Sequence, residues 1–190
     1  LVASARAIHK ARRGGFYGFE AGDIKLNYAR VRERMNEIRN DSRMGLAEWM
    51  EESENVELIR GKGYFIGEKE LQVGQRKLRS TNIYINTGAR ARAPKIEGLE
   101  QVPWMDSAGL LNKETLQEHL LIIGGGYIGV EFSQVFRRFG ARVTIVQRGE
   151  QLMPREDEDV AQAIQDFLEE EGVEVLCGTE AKSVKQKDGG

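Results

Sequence analysis

A single cysteine, Cys177, excludes an internal disulfide and fits a reducing, cytoplasmic setting. It closes the apolar run VEVLC with no basic neighbour, so it is read as an inert thiol. Apolar runs stop at about four or five residues, far short of a membrane span, and no secretory signal is visible. An excess of either charge is also lacking. Lys and Arg number 28 against 30 Asp and Glu, a net charge of -2, so neither nucleic acid nor an acidic membrane surface is expected as a partner. The two histidines, His9 and His119, have no partner at metal-ligand or nucleophile spacing. Both are read as structural or exposed, and no metal site is expected. Aromatic residues make up 7% of the chain and hydrophobic ones 40%, ordinary for a globular α/β protein long enough to bury a core.

The two ends lack the marks of a finished domain. The chain opens LVASARAIHKARR, with neither a methionine nor a capping residue, as though a helix were under way. It closes SVKQKDGG, where Asp188-Gly189 is a hairpin signal without a return strand. The expectation is an interior piece of a longer protein.

Between these ends the hydrophobic period passes from helical to strand-like and then alternates. Residues 1–13 read as a helix, which GGFYGFEAGD breaks. A long helix from about Asn27 carries Val31, Met35, Ile38, Leu46 and Trp49 at helical spacing, the stripe that a helix lays on a core. The segments VELIRGKGYFIG, KELQVGQRKLRS and TNIYINTGARA read as three short strands, the last one buried. ARAPKIEGLEQVPW is a connector. From about Leu120 the order becomes LLII, a helix from Tyr127 to Phe139, ARVTIVQ, a helix from Asp157 to Glu171, and VEVL. Strand and helix in alternation predict an α/β fold with a parallel sheet of Rossmann-like βαβ units.

The stretch LLIIGGGYIGVEFSQVFRRFG holds the chemistry. Gly124, Gly126 and Gly129 fit G-x-G-x-x-G directly after a strand and before a helix. Gly124 would allow a tight turn, Gly126 would leave room for a pyrophosphate, and Gly129 would let the helix lie close on the sheet. The unpaired amides at the helix start then face the anion. On the helix, Phe132, Val135, Phe136 and Phe139 share a stripe roughly 100° wide with Ile128. Dinucleotide binding is the reading; a tight turn that binds nothing is its alternative. Tyr127 and Glu131 lie one turn apart on one side of this helix, and Glu131 taken alone is a surface carboxylate near a helix N-terminus.

GGGYIGVEF followed by GARVTIVQR, with INTGARARAPKIEG upstream, resembles the flavin-dependent pyridine nucleotide-disulphide oxidoreductases. The opening LVASARAIHKARR and the later PREDEDVAQAIQDFLEEEGVEVL look most like the mercuric reductase and dihydrolipoyl dehydrogenase branch. The resemblance covers essentially the whole chain. It implies that residues 1–112 are the later part of an FAD domain and residues 113–190 the first half of an NAD(P) domain. In that family Lys62 and Gly63 match backbone contacts to the flavin adenine, Thr87 and Gly88 a strand passing close to the flavin, and Ser107 a position beside it. Tyr127 matches an aromatic gate over the nicotinamide pocket, with Ile128 beside it in the cofactor-binding loop. Glu131 matches an acid that pairs with a lysine near the flavin and helps place the nicotinamide, the one catalytic role assigned within this chain. Ala91 and Glu97 stand where the family's upstream motif usually has proline.

The resemblance also implies what would lie elsewhere. The FAD fingerprint, the redox cysteine pair and the lysine partner of Glu131 would precede Leu1; the catalytic histidine and the dimerisation domain would follow Gly190. The intact protein would be a homodimer moving a hydride from a reduced nicotinamide to FAD and on to a disulphide or thiol-bound metal. The chain alone, with one cysteine, would be inactive. For the nicotinamide cofactor, NAD-binding units place an acid about 20 residues beyond the first glycine. Here Gln147 stands there, with Arg148 next and Arg155 a short loop later. A neutral amide and two guanidiniums favour the 2′-phosphate of NADP, and the residue matching Arg148 contacts that phosphate in NADPH-specific members. Glu150 is nearby and Gln147 can bond a ribose hydroxyl, so NAD stays open. Two rivals remain: a stand-alone pyridine-nucleotide module without catalysis, and an interaction fragment built on the helix from Asn27 to Met50.

Overall fold

The computed structural model describes residues 1–186; the Asp188-Gly189 hairpin reading lies outside them. The chain packs as two compact units. One joins Leu1–Met35 to the chain from Ala91 onward, and the other is Asn36–Arg90. These units follow packing, and so cut the chain elsewhere than a division by cofactor would.

In the first unit the βαβ alternation forms as expected. His119–Ile123 (β4), Arg142–Val146 (β5) and Glu174–Leu176 (β6) make a parallel sheet in the order β4-β5-β6, with Leu120 opposite Val143 and Ile145 opposite Val175. Tyr127–Phe139 (α4) and Glu158–Glu170 (α5) are the connecting helices, and Val2–Arg12 (α1) packs on α4. The stripe on α4 decides where the core sits. Val135, Phe136 and Phe139 are buried with Leu120, Val143, Ile145 and Leu168 around them. Phe136 stacks edge-to-face on Phe139 at 6.1 Å, and Tyr28 meets Phe139 at 5.9 Å. Such aromatic contacts add about 0.5–1.5 kcal/mol to the burial itself. Leu120 is buried, whereas Leu121 and Ile123 on the opposite face of β4 are exposed.

Three polar ties hold α1 and both connecting helices together. Arg138 forks onto Glu171 with bonds of 2.7 and 2.6 Å, Gln134 donates to the same carboxylate at 2.9 Å, and Arg12 donates to the Arg138 carbonyl at 2.7 Å. Burial alone would raise the Glu171 pKa. The Arg138 bonds and charge, aided by His9 and Gln134, outweigh it and hold the carboxyl below its ordinary range.

The second unit departs from expectation. Gly63–Gly67 (β1) pairs antiparallel with Glu70–Val73 (β2), which pairs antiparallel with Arg76–Arg79 (β3). KELQVGQRKLRS is therefore two strands, turned at Gly74, rather than one. The buried strand expected in TNIYINTGARA is absent. Residues 81–90 are exposed throughout, Tyr84 by 92%. Its β-formers have no neighbouring strand among the described residues, and propensity without a partner does not make a strand. The long helix, Tyr28–Glu52 (α2), forms, but its expected core stripe does not bury: Ile38, Leu46 and Trp49 are exposed, while Tyr28 and Val31 near its start meet the core. No described helix is long and apolar enough to cross a membrane.

Candidate functional site

The glycine loop begins where β4 ends. The Gly124 amide still bonds the Val146 carbonyl at 2.9 Å, so the turn starts from a strand held in register. Gly124 then takes φ +108, a left-handed conformation that side chains resist. Gly129 is glycine for a different reason. A Cβ there would run into the Gly124 carbonyl and lie 3.2 Å from Ile122 Cγ2, so its absence lets α4 sit against β4.

Gly126 precedes α4 as its cap, at φ −77 and ψ 176, and makes no side-chain capping bond. Among the described residues, nothing beyond its two chain neighbours lies within 4 Å of where its Cβ would be. The first amides of α4 have no intrahelical partner, and the positive end of the helix dipole points the same way. An open space in front of unpaired donors is a seat for an anion.

The side of this loop facing the sheet is fully engaged. Gly125 is buried; its amide donates to Gln147 Oε1 at 3.0 Å and its carbonyl accepts from the Met153 amide at 2.7 Å. Gln147 follows β5 directly and is half-buried, while Arg148 and Arg155 are exposed on the loop that leads to α5.

A cavity of about 760 Å³ brings Gly124, Gly126, Tyr127, Ile128 and Gly129 together with Ser107. Ser107 opens a short helix, Ser107–Asn112 (α3), that the sequence reading passed over although Asp106 caps it, accepting the Gly109 amide at 2.7 Å. Tyr127 is 68% exposed, a ring on the rim rather than in a core. Glu131 is exposed one turn further along α4, and neither it nor Gln147, Arg148 or Arg155 lines the cavity. Lys62 and Gly63, at the start of β1, and Thr87 and Gly88, in the exposed 81–90 run, belong to the Asn36–Arg90 unit.

The sequence reading also missed a polar chain across the sheet. Arg142 donates to His119 Nδ1 at 2.7 Å, which leaves Nε2–H to donate to Thr144 Oγ1 at 3.0 Å, and Thr144 donates to Glu174 at 2.8 Å. Burial and the Arg142 charge lower the His119 pKa against the pull of Glu174, in keeping with a ring nitrogen that accepts from Arg142. The register that places these residues side by side is invisible to motif spacing. Burial, with Glu150 and Glu169 nearby, raises the Cys177 thiol, a setting opposite to that of a reactive cysteine. Among the described residues no three His, Cys, Asp or Glu side chains group to hold a metal.

The chain has relatives among known proteins. The family described as pyridine nucleotide-disulphide oxidoreductase matches residues 5–189. The chain is 35% identical over 167 residues to the probable pyridine nucleotide-disulfide oxidoreductase RclA of Escherichia coli (strain K12), covering 85% of this chain and 38% of that protein. It is 30% identical to mercuric reductase of Bacillus cereus, over 98% of this chain and 30% of the relative. With dihydrolipoyl dehydrogenase of Bacillus subtilis (strain 168) the identity is 28%, over 98% and 42%. The solved structure of the HOCl-induced flavoprotein disulfide reductase RclA from Escherichia coli superposes with a TM-score of 0.80 at 32% identity, covering 99% of this chain and 41% of that one. The chain thus spans well under half the length of each of these relatives.

Proposed function

We propose, from the premise that this chain belongs to the pyridine nucleotide-disulphide oxidoreductase family, that its glycine loop seats the pyrophosphate of NADPH in a hydride-transferring flavoenzyme. The protein that carries it takes a hydride from the nicotinamide, through FAD, to a disulphide or thiol-bound metal. The observation that carries this reading is the open space at Gly126 in front of the unpaired α4 amides.

FAD, when bound, supplies the two-electron chemistry, and the protein supplies position and electrostatics. In that division of labour Gly124, Gly126, Ile128 and Gly129 shape the pyrophosphate seat, and Tyr127 gates the nicotinamide. Glu131 orients the nicotinamide and faces the charge developed near the flavin. Lys62, Gly63, Thr87 and Gly88 are flavin-contact positions within the Asn36–Arg90 unit, and Ser107 is one within the other unit. Arg148 and Arg155 meet the 2′-phosphate, which makes NADPH the preferred donor over NADH. Residues 1–112 then belong to the FAD domain and 113–190 to the NAD(P) domain of a cytoplasmic homodimer.

Gly126→Ala tests the seat. Its dihedrals suit alanine and no atom of the described residues obstructs the methyl, so folding is kept, whereas the methyl stands where the pyrophosphate would rest. Titration by nicotinamide fluorescence is expected to give tighter binding of NADPH than NADH to the wild type, and a loss of about tenfold or more in the variant, which is ~1.4 kcal/mol. Unchanged affinity in a folded Gly126→Ala variant sinks the seat; tighter NADH binding by the wild type sinks the NADPH preference.

A further inference from the structure

The side chain that follows β5 in a dinucleotide-binding unit is expected to face the ribose. In this structure Gln147 turns inward instead. Its Oε1 accepts the Gly125 amide at 3.0 Å, and its Nε2 lies beside Gly149, 2.9 Å from where a Cβ on that glycine would be. The carboxamide is wedged between the glycine loop and its own loop.

Two neighbours complete the grip. Leu152 is fully buried and would be struck by any Cβ on Gly125. Met153 donates its amide to the Gly125 carbonyl at 2.7 Å while holding φ +47, a left-handed conformation found at no other described non-glycine residue. That conformation is unfavourable for a methionine, and it occurs at the residue whose amide reaches Gly125. One residue of the glycine loop, Gly125, is thus held at its N–H, its Cα and its C=O by the segment from Gln147 to Met153.

We infer that Gln147 is a positioning residue that latches the glycine loop for its ligand, rather than a reader of the ribose. The inference rests on the dinucleotide reading of that loop. With Oε1 committed to Gly125, the Gly125 amide is withdrawn from the anion, which is left to the first amides of α4. Discrimination at the 2′ position falls to Arg148 and Arg155. A latch acts on the pyrophosphate common to both cofactors, so its loss weakens NADH and NADPH by the same factor. A ribose reader would lose NADH selectively, because only NADH presents a free 2′-hydroxyl.

The test uses the full chain with Gln147→Leu, which removes the acceptor, and Gln147→Glu, which keeps it. Amide hydrogen exchange without nucleotide should show Gly125 protected in the wild type and in Gln147→Glu, and exposed in Gln147→Leu. Titration should show Gln147→Leu weakened about five- to tenfold for NADH and NADPH alike, the loss of one hydrogen bond. Gln147→Glu should keep NADH affinity and lose NADPH affinity through repulsion of the 2′-phosphate. Exchange of the wild-type Gly125 amide at an open-loop rate overturns the latch even if Gln147→Leu fails to fold. A Gln147→Leu variant that binds both cofactors normally, or loses NADH alone, overturns it while the dinucleotide reading stands. A wild type that binds neither cofactor takes down that reading and the latch together.

Discussion

The glycine-loop unit and the Asn36–Arg90 unit both contain alternating and helical apolar patterns, yet they treat them in opposite ways. In the first, Phe136 is 1% exposed and Val143, Ile145 and Leu168 are buried around it. In the second, none of residues 36–90 is buried, and Trp49, Tyr64, Phe65 and Ile85 all face outward. The difference is one of layers. A parallel sheet with a crossover helix brings its own cover, because the connection that joins two strands must lie on their face. An antiparallel meander such as β1-β2-β3 needs no crossover, and so nothing in its own connectivity covers it. Local pattern selects the apolar face; topology decides whether that face is covered.

The largest expected effect follows directly. Phe136→Ala should cost about 3–5 kcal/mol, the usual range for emptying a packed aromatic site. Trp49→Ala, although it removes a larger side chain, should change stability by less than about 0.5 kcal/mol. Urea unfolding followed by circular dichroism measures both. A Trp49→Ala cost approaching that of Phe136→Ala would mean that residues 36–90 bury a core in solution, and the contrast between the units would collapse.

A pair of glycines sharpens the same contrast at smaller scale. At Gly129 an added methyl meets the Gly124 carbonyl, which is backbone and cannot move without pulling β4 from β5. At Gly63 it meets Leu71 Cδ2 at 3.2 Å, the far end of a side chain that can rotate away. Gly129→Ala should therefore cost about 1–3 kcal/mol, as overpacking does, with NADPH binding lost as α4 lifts. Gly63→Ala should stay within about 0.5 kcal/mol of the wild type. Equal melting shifts in the two variants would remove the distinction.

How far the sequence carried the reading also divides along this line. The βαβ unit was legible because its signals are local: an apolar run, three glycines and a helical stripe bounded at Tyr127 and Phe139. The Asp106 cap of α3 is equally local, a side chain accepting an amide three residues on. TNIYINTGARA misled because β-formers report a preference for pleated surface, not the presence of a neighbour. The stripe on α2 was real as a pattern, and its burial could not be read from it. Gln147 is the instructive case. Its position after β5 was legible, but its bond to Gly125, 22 residues away, depends on which way one side chain turns. No spacing rule encodes that direction, nor the left-handed Met153 that holds the other side of Gly125.

The smallest effect compares two arginine–glutamate forks. Arg138–Glu171 is 15% and 16% exposed, whereas Arg76–Glu57 is 53% and 65% exposed. Each carboxyl is held below its ordinary pKa. At Glu57 the Arg76 hydrogen bonds and charge do this directly; at Glu171 the Arg138 interactions prevail over an opposing burial. A depressed carboxylate stabilises the fold above its unfolded pKa, and that contribution fades as pH falls from there through the folded value. Glu171→Gln should therefore lower stability by about 1 kcal/mol at pH 7, and the gap to wild type should close as pH drops below the ordinary 4.5. Added salt should change it little, since the pair is partly shielded from solvent. Glu57→Gln should give no resolvable change at pH 7 in moderate salt, because solvent and ions screen an exposed pair. Thermal melts of both variants at pH 7, 5 and 3, with and without added salt, measure this. If Glu57→Gln shows the larger loss, or the Glu171→Gln gap widens in acid, then burial does not set the worth of these forks.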